Sequence, residues 1–281
     1  MSGTLYVVAT PIGNLEDITL RALRVLRDAS VIAAEDTRRT ARLLSHHSIA
    51  TRTISFHAHN TRSRVPLLIS RLVAGERVAL VTDAGTPGVS DPGLELVQAA
   101  IDNGIRIDPV PGASAPLVAL IGSGFTLVPF TMWGFAPNRP KARKGWLTEL
   151  SNTSHTFSFF EVPHRIRETL FEAGRIFGIR PIALARELTK VHQEFLRGTA
   201  AELSASDFKA QGEFTVVVGQ SINTSSINEI PIADAEVTAE FGQLTKIGGL
   251  TRRAAISALA KKYGRSARDV YSAIERGKNC V

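Results

Sequence analysis

The chain has 281 residues, long enough for one large or two ordinary domains around a substantial core. A hydrophobic fraction of 44% and a charged fraction of 21% are those of a globular protein in water, and the single cysteine, Cys280, excludes a disulfide framework or a cysteine-rich zinc site. The formal charge is +7; residues 246–281 hold nine basic residues against Asp269 and Glu275, so residues 1–245 net to zero and the basic character is expected to belong to the tail. One cysteine and no basic-then-apolar leader suit a reducing, cytoplasmic compartment. The stretch Pro109–Asn138 carries no charge, yet prolines leave Leu117–Val128 as its longest proline-free piece. That is shorter than the ~20 residues of a membrane span, so no membrane partner is expected.

In chain order, strands are expected at Thr4–Ala9, Val31–Ala34, Thr53–Phe56, Val78–Val81 and Arg106–Val110, each followed by a helical pattern. Asn14 or Asp17 is expected to cap the first helix, through Leu20, Leu23, Val25 and Leu26. Alternation at this spacing implies βαβ units and a largely parallel sheet, with the loops after the strands at one rim. A boundary is expected near Gly122–Phe125. Beyond it, strands at Trp133–Ala136, Thr156–Phe160, Pro181–Ala185 and Glu213–Gly219 alternate with helices at Lys141–Leu150 and through Leu170 and Ile176. The expected organisation is an α/β domain over 1–122, a second over 123–220, a Ser/Asn/Thr-rich linker over 221–235, and a basic helical module over 236–281.

The stretch that organises this reading is Asp83-Ala84-Gly85-Thr86-Pro87-Gly88-Val89-Ser90-Asp91-Pro92-Gly93, between a buried strand and a helix. Most strand-to-helix connections need only two to six residues, and glycine permits close backbone approach. A long loop at the carboxyl end of a strand in an open α/β sheet is where ligands bind; the alternative is an ordinary turn. Pro111-Gly112-Ala113 offers a second such wall or a plain strand-to-helix turn. There is no GxGxxG, P-loop, GxSxG or HExxH pattern. His57 and His59 have the spacing of two metal ligands, but nothing nearby completes a set, and no metal is expected.

Seven segments occur in order: Thr10–Leu15 (TPIGNL), Ala34–Arg38 (AEDTR), Phe56–Asn60 (FHAHN), Asp83–Gly93, Pro111–Ala115 (PGASA), Phe159–Arg165 (FFEVPHR) and Ala185–Lys190 (ARELTK). Together they resemble the bacterial small-subunit ribosomal RNA ribose methyltransferases of the tetrapyrrole methylase superfamily, over about residues 4–220, and the basic tail resembles that family's C-terminal extension. The resemblance implies two α/β domains with S-adenosylmethionine in the cleft between them, 2′-O-methylation of a cytidine in the decoding region of small-subunit RNA, free or assembled, and a homodimer. Tetrapyrrole-modifying relatives carry a GxGPG-like first loop. Thr10-Pro11-Ile12-Gly13-Asn14 departs from it and favours the RNA branch.

On this reading Pro11, Asp83, Ala84, Gly85, Thr86, Pro87, Pro111, Gly112 and Ala113 would hold the cofactor, with Leu127–Trp133 covering its adenine. Methyl transfer is an in-line displacement in which the sulfonium is already the electrophile, so the protein chiefly positions the reactants. The ribose hydroxyl gains from a base, and His57, Glu35, Asp36, Glu161 and Glu187 stand at or just beyond strand ends. Arg38, Arg165, Arg186 and Lys190 would clamp RNA phosphates or else form structural ion pairs. Arg252, Arg253, Lys261 and Lys262 belong to the tail, where Thr251 is expected to cap a helix with Ala255, Ile256, Leu259, Ala260 and Tyr263 on its apolar side. Gly264 would end that helix. Ser266 would open another, with Ala267, Val270, Tyr271 and Ile274 apolar. A solvated basic face or a dimerisation arm is the alternative to RNA contact. A porphyrin-type methyltransferase and a non-catalytic RNA-binding factor are the rival functions.

Overall fold

The structure, a computed structural model, describes residues 2–221, 234–246, 249–263 and 267–278. The chain forms two compact units, Met1–Ser221 and Ile222–Val281. The first opens with β1 (Thr4–Val8), α1 (Leu20–Asp28), β2 (Val31–Ala34), α2 (Thr37–His46), β3 (Thr53–Ser55), α3 (Thr61–Val73), β4 (Arg77–Val81), α4 (Leu94–Asp102) and β5 (Arg106–Val110). The five strands form one wholly parallel sheet in the order β3-β2-β4-β1-β5, as the alternation predicts. One face is covered by Ala22, Val25 and Leu26 of α1 with Leu44 of α2. The other carries Leu68 and Leu72 of α3 with Leu96 and Ala100 of α4. Burial on both faces is why β2 and β4 read as continuous apolar runs. The first helix is capped by neither expected residue. Thr19 accepts the Ala22 N–H at 3.1 Å, while Asn14 accepts the Glu16 N–H in a separate 3-10 turn, Leu15–Asp17.

From β1 the chain moves outward to β2 and β3, and from β4 it crosses β1 to β5. The order therefore reverses between β1 and β4, and a crevice opens beyond their carboxyl ends. The second half contributes α5 (Ala115–Ser123), β6 (Phe130–Phe135), α6 (Pro140–Ser151), β7 (Thr156–Glu161), α7 (Ile166–Phe177), β8 (Pro181–Arg186), β9 (Glu194–Thr199), α8 (Ala200–Ala205) and β10 (Phe214–Val218).

The largely parallel arrangement expected for the first half does not extend to the second. In the order β6-β7-β10-β8-β9 only β6 and β7 run parallel. The physical reason is connection length: Glu187–Gln193 is too short for the dozen or more residues that a parallel crossover requires, so β9 returns antiparallel on β8. β9 and α8 have no counterpart in the sequence reading. A capping box between Thr199 and Glu202 starts α8. The two sheets are joined by a shared core in which Ala119 and Leu120 of α5 pack with Ile12, Ala183, Ala185, Leu188 and Val217.

The second unit contains α9 (Asp234–Lys246), α10 (Arg252–Tyr263) and α11 (Ala267–Lys278), which pack pairwise around Val237, Leu259, Val270, Ala273 and Ile274. Thr251 caps α10 by accepting the Ala254 N–H at 3.3 Å, and Ala255, Ile256, Leu259, Ala260 and Tyr263 face inward as the spacing requires. Ala267 and Tyr271 are exposed instead; Ala273 takes the inner position on α11. Gly264, Ser266, most of the linker and the Lys261 side chain lie outside the described residues.

Candidate active site

The loop Asp83–Gly93 leaves β4 at the point of reversal and is tied to the loop after β1. Thr10 N–H donates to Gly85 O at 2.9 Å, Gly85 N–H to Thr10 O at 3.0 Å, and Thr10 Oγ1 to Thr82 O at 3.1 Å. Gly85 has φ +77°, a conformation that side-chain-bearing residues rarely adopt, so this position requires glycine. A Cβ there would meet Ile12 Cγ2 at only 3.5 Å; the constraint is the backbone, not space.

A cavity of about 390 Å³ lies beside this loop, between the two sheets. Asp83, Ala84, Gly85, Thr86, Val89 and Asp91 form one wall with Glu35 and Arg39; Ser114, Ala115 and Pro116 bring the start of α5 to it. The second half supplies Phe135, Phe160, Phe214, Leu188, Gly212 and Thr215. Phe135 and Phe160 lie 5.1 Å apart between ring centroids. Gly212 is held at φ +84°, and a Cβ would strike Glu187 Oε1 at 2.2 Å, so glycine is required there too.

Five carboxylate residues line the cavity: Glu35, Asp83 and Asp91 on the first wall, Glu161 and Glu213 on the side of the second half. Glu35 Oε2 accepts the Asp83 N–H at 3.2 Å, and Asp83 Oδ1 accepts the Asp36 N–H at 3.0 Å, a reciprocal clamp between the ends of β2 and β4. Asp83 Oδ2 is 3.4 Å from Arg39. Burial, then the charges of Glu35 and Asp83, push the Asp91 carboxyl up to about 6. Asp36 caps α2 and is drawn down to about 2, chiefly by the side-chain hydrogen bonds from Arg38.

Of the residues expected from the sequence, Asp83, Ala84, Gly85, Thr86, Glu35 and Glu161 line the cavity. Pro11, Pro87, Pro111, Gly112 and Ala113 do not. Ala113 turns its carbonyl toward Thr86 Oγ1 at 3.5 Å, and a Cβ on Gly112 would press Ala9 Cβ at 2.9 Å. The Leu127–Trp133 stretch is not part of the wall, whereas Phe135, Phe160 and Phe214 are.

His57 stands outside the wall. Its backbone N–H donates to Asn60 Oδ1 at 2.9 Å, and its ring Nε2 is 3.2 Å from Asn60 Nδ2. Glu161 is wholly buried and saturated by the Val162 N–H, Arg165 and Thr169 Oγ1, so it braces its loop. Arg165 is committed to Glu161, Asn138 and Ala136 O.

Glu187 lies outside the cavity and accepts from Lys190 at 2.9 Å and from the Glu213 N–H at 3.0 Å. Burial alone would raise its carboxyl, but these bonds hold it below its ordinary range. Arg186 pairs with Glu194, and Lys190 also with Glu213. In the second unit Arg252 pairs with Glu275 and Lys262 with Glu240; Arg253 is exposed. The ion-pair alternative thus has a geometry for most of the expected RNA clamps. Asp91, Arg39 and the phenylalanines are cavity residues that the sequence reading did not single out. Asp91 alone carried a signal, as the second carboxylate of the long loop.

The family profile of tetrapyrrole (corrin/porphyrin) methylases matches residues 4–204. A Halalkalibacterium halodurans protein named ribosomal RNA small subunit methyltransferase I is 42% identical over 275 residues, covering 96% of this chain and 94% of that protein. One of the same name from Micromonospora olivasterospora is 50% identical over 223 residues, covering 78% and 71%. The solved uroporphyrin-III C-methyltransferase of Thermus thermophilus with S-adenyl homocysteine superposes with a TM-score of 0.56 at 17% identity, over 79% of this chain and all of that one. The chain belongs to the tetrapyrrole methylases and, within them, to the ribosomal RNA small subunit methyltransferase I family. It is a methyltransferase, with two α/β sheets framing the cavity and a helical unit after them. Among the described residues no helix is long and apolar enough to cross a membrane.

Proposed function

We propose that this chain transfers a methyl group from S-adenosylmethionine to the 2′-oxygen of a cytidine ribose in the decoding region of small-subunit ribosomal RNA, in the cytoplasm and as a homodimer. The observation that carries this reading is the near full-length identity to relatives named for small-subunit RNA methylation, together with the composition of the cavity. When bound, the cofactor supplies a cationic methyl donor with an adenine and an amino-acid end. Glu35, Asp83 and Asp91 are the donor set for its positive charge, and Phe135, Phe160 and Phe214 offer an apolar wall to its base.

The chain's own residues do the positioning. The Thr10–Gly85 bridge fixes one wall, Glu161 with Arg165 fixes the opposite loop, and Glu187 with Lys190 seats the Gly212 turn. With Glu161 and Glu187 used as braces, we assign orientation and deprotonation of the ribose hydroxyl to Glu35 or Asp91. The dimer surface we assign to Leu117 and Ile121, exposed one turn apart on α5, with Val128 and Phe130 exposed after them.

The test is to map 2′-O-methyl groups on small-subunit RNA from cells with and without the protein, and to assay the purified chain on naked RNA, on assembled subunits and on a porphyrin-type acceptor. Loss of one cytidine methyl in the deletion strain, restored by the purified chain, is the expected result. Transfer to the porphyrin-type acceptor alone would overturn it. Replacing Glu35 by Gln or Asp91 by Asn should lower kcat by about 10²–10⁴-fold for whichever acts as the base. His57→Ala should leave kcat within about threefold, because His57 is not on the cavity wall.

A further inference from the structure

The neutral total over residues 1–245 conceals a block that the sequence reading missed. Between Thr37 and Gly75 there are seven arginines, four histidines and no carboxylate. The expectation that the basic character belongs to the tail alone is therefore corrected. The fold gathers most of these cations at one place. Because β2 and β3 are parallel neighbours, α2 and α3 both start at the carboxyl-end rim where the cavity opens. They lie on opposite faces of the sheet, so they flank its edge strand β3 from both sides. Arg38 and Arg39 open α2, with Arg42 one turn further along; Arg62 and Arg64 occupy the start of α3.

Two of these arginines have local partners: Arg38 reaches Asp36, and Arg39 reaches Asp83 on the cavity wall. Arg42, Arg62 and Arg64 have no ion-pair partner among the described residues, and Arg42 and Arg62 are exposed. Arg71 is spent on Glu76, and Arg52 precedes β3 at the far rim. Arg38 and Arg42 are one turn apart on α2, a like-charge spacing that destabilises an isolated helix. Unpaired guanidinium groups around the mouth of a site fit a polyanion, since guanidinium engages phosphate with two parallel hydrogen bonds.

We infer that Arg42, Arg62 and Arg64 form an RNA-backbone docking surface on the first half of the chain, leading along the β3 edge into the cavity mouth at Arg39. This rests on the RNA-methylating reading above. It adds a second RNA contact independent of the helical unit, and its role is to set the approach of the strand, not to read bases.

The test uses the full-length chain with Arg42→Gln, Arg62→Gln and Arg64→Gln combined, against a control in which Lys141, Lys144 and Arg175, exposed in the second half, become Gln. Binding of a small-subunit ribosomal RNA transcript is measured against salt, with S-adenosylmethionine affinity by calorimetry and the melting temperature alongside. The expected result is a log–log salt slope shallower by about 2, from three lost contacts at ~0.7 each. KM for RNA should rise at least about tenfold, with cofactor affinity, kcat and melting temperature held. An unchanged slope in the rim variant, or an equal loss in the control, overturns the docking surface while leaving the RNA-methylating reading intact. Failure of the unaltered protein to bind or methylate the RNA overturns both.

Discussion

Asp91 is a half-buried carboxylate on the cavity wall whose carboxyl is pushed well above its ordinary value by burial and by its acidic neighbours. Its pKa of about 6 lies above the 3.8 of the unfolded chain, so the folded state prefers the protonated form. That contribution is fully present below about pH 4 and is lost as pH rises through 6. Asp91→Asn should therefore stabilise the cofactor-free protein at pH 7.5, by about 1–2 kcal/mol once partial solvent access is discounted, and by little at pH 4. Denaturant melts of both proteins at the two pH values check this; equal stabilisation at both would reject the assignment. A cationic ligand should draw the same carboxyl back down, so S-adenosylmethionine binding at pH 6 should release protons. Calorimetry in buffers of different ionisation enthalpy would detect them.

Gly85 shows how far one residue could be read from the sequence. Its membership of a ligand loop was legible from the loop's length and composition. Its role was not, because a long-range bridge to Thr10 sets its φ. Sequence logic expects Gly85→Val to cost cofactor affinity before folding; a positive φ with ordinary space around a Cβ reverses that order. Gly85→Ala should cost about 1–2 kcal/mol of stability, with Val costing more. Thermal melts without ligand would reveal it.

At the scale of elements, the first sheet was readable because its inner strands β2 and β4 are buried apolar runs and strand and helix patterns alternate at regular spacing. The second was not. β9 is an edge strand, Glu194–Thr199, with Glu194, Arg197 and Gly198 interrupting any alternation, and α8 is only six residues long. The cavity's aromatic side comes from three different elements of that half, so no local pattern announces it.

The packing of α6 on α7 offers a test of what holds this half together. Arg143 is fully buried, bonds Glu172 at 2.9 Å through Nε, and contacts Glu168 at 2.8 Å as an ion pair without hydrogen-bond geometry. Arg143 is the buried member, while the Glu168 and Glu172 side chains keep 54% and 20% of their exposure, so removing a carboxylate strands the guanidinium more than the reverse. Glu172→Ala, which takes away the hydrogen bond to Nε, should cost about 3–5 kcal/mol, and Arg143→Met combined with Glu172→Leu markedly less. Urea melts of the variants, with unchanged slope, are the measurement; a cost under 1 kcal/mol for the alanine variant would show that the pair is dispensable.

For the whole molecule, the excess charge is divided between the two compact units: residues 222–245 hold four carboxylates and no base, so the unit with the cavity carries +4 and the helical unit +3. The linker and the RNA-gripping role of the tail stand as proposals. Arg252 and Lys262 are already paired within the helical unit, while Arg253 and Arg268 are exposed. A chain ending at Ser221 should bind S-adenosylmethionine as the full chain does and hold RNA more weakly, with a shallower salt slope. Unchanged RNA affinity would assign recognition to the first unit alone. EDTA should leave turnover intact, since the sulfonium needs no Lewis acid; loss restored by one divalent ion would direct attention to His57 and His59.

The order β3-β2-β4-β1-β5 has a consequence for how the protein is born. β1 leaves the ribosome long before either of its neighbours: it ends at Val8, while β4 begins at Arg77 and β5 at Arg106. At about 5–20 residues per second, translation needs about 3–14 s to supply the first partner. Through that interval the apolar segment TLYVV has two unsatisfied edges and nothing of its own chain to pair with. Newly made chains are thus most vulnerable while β1 waits for β4, and slow codons between the first and fourth strands would lengthen the time a chaperone must guard it.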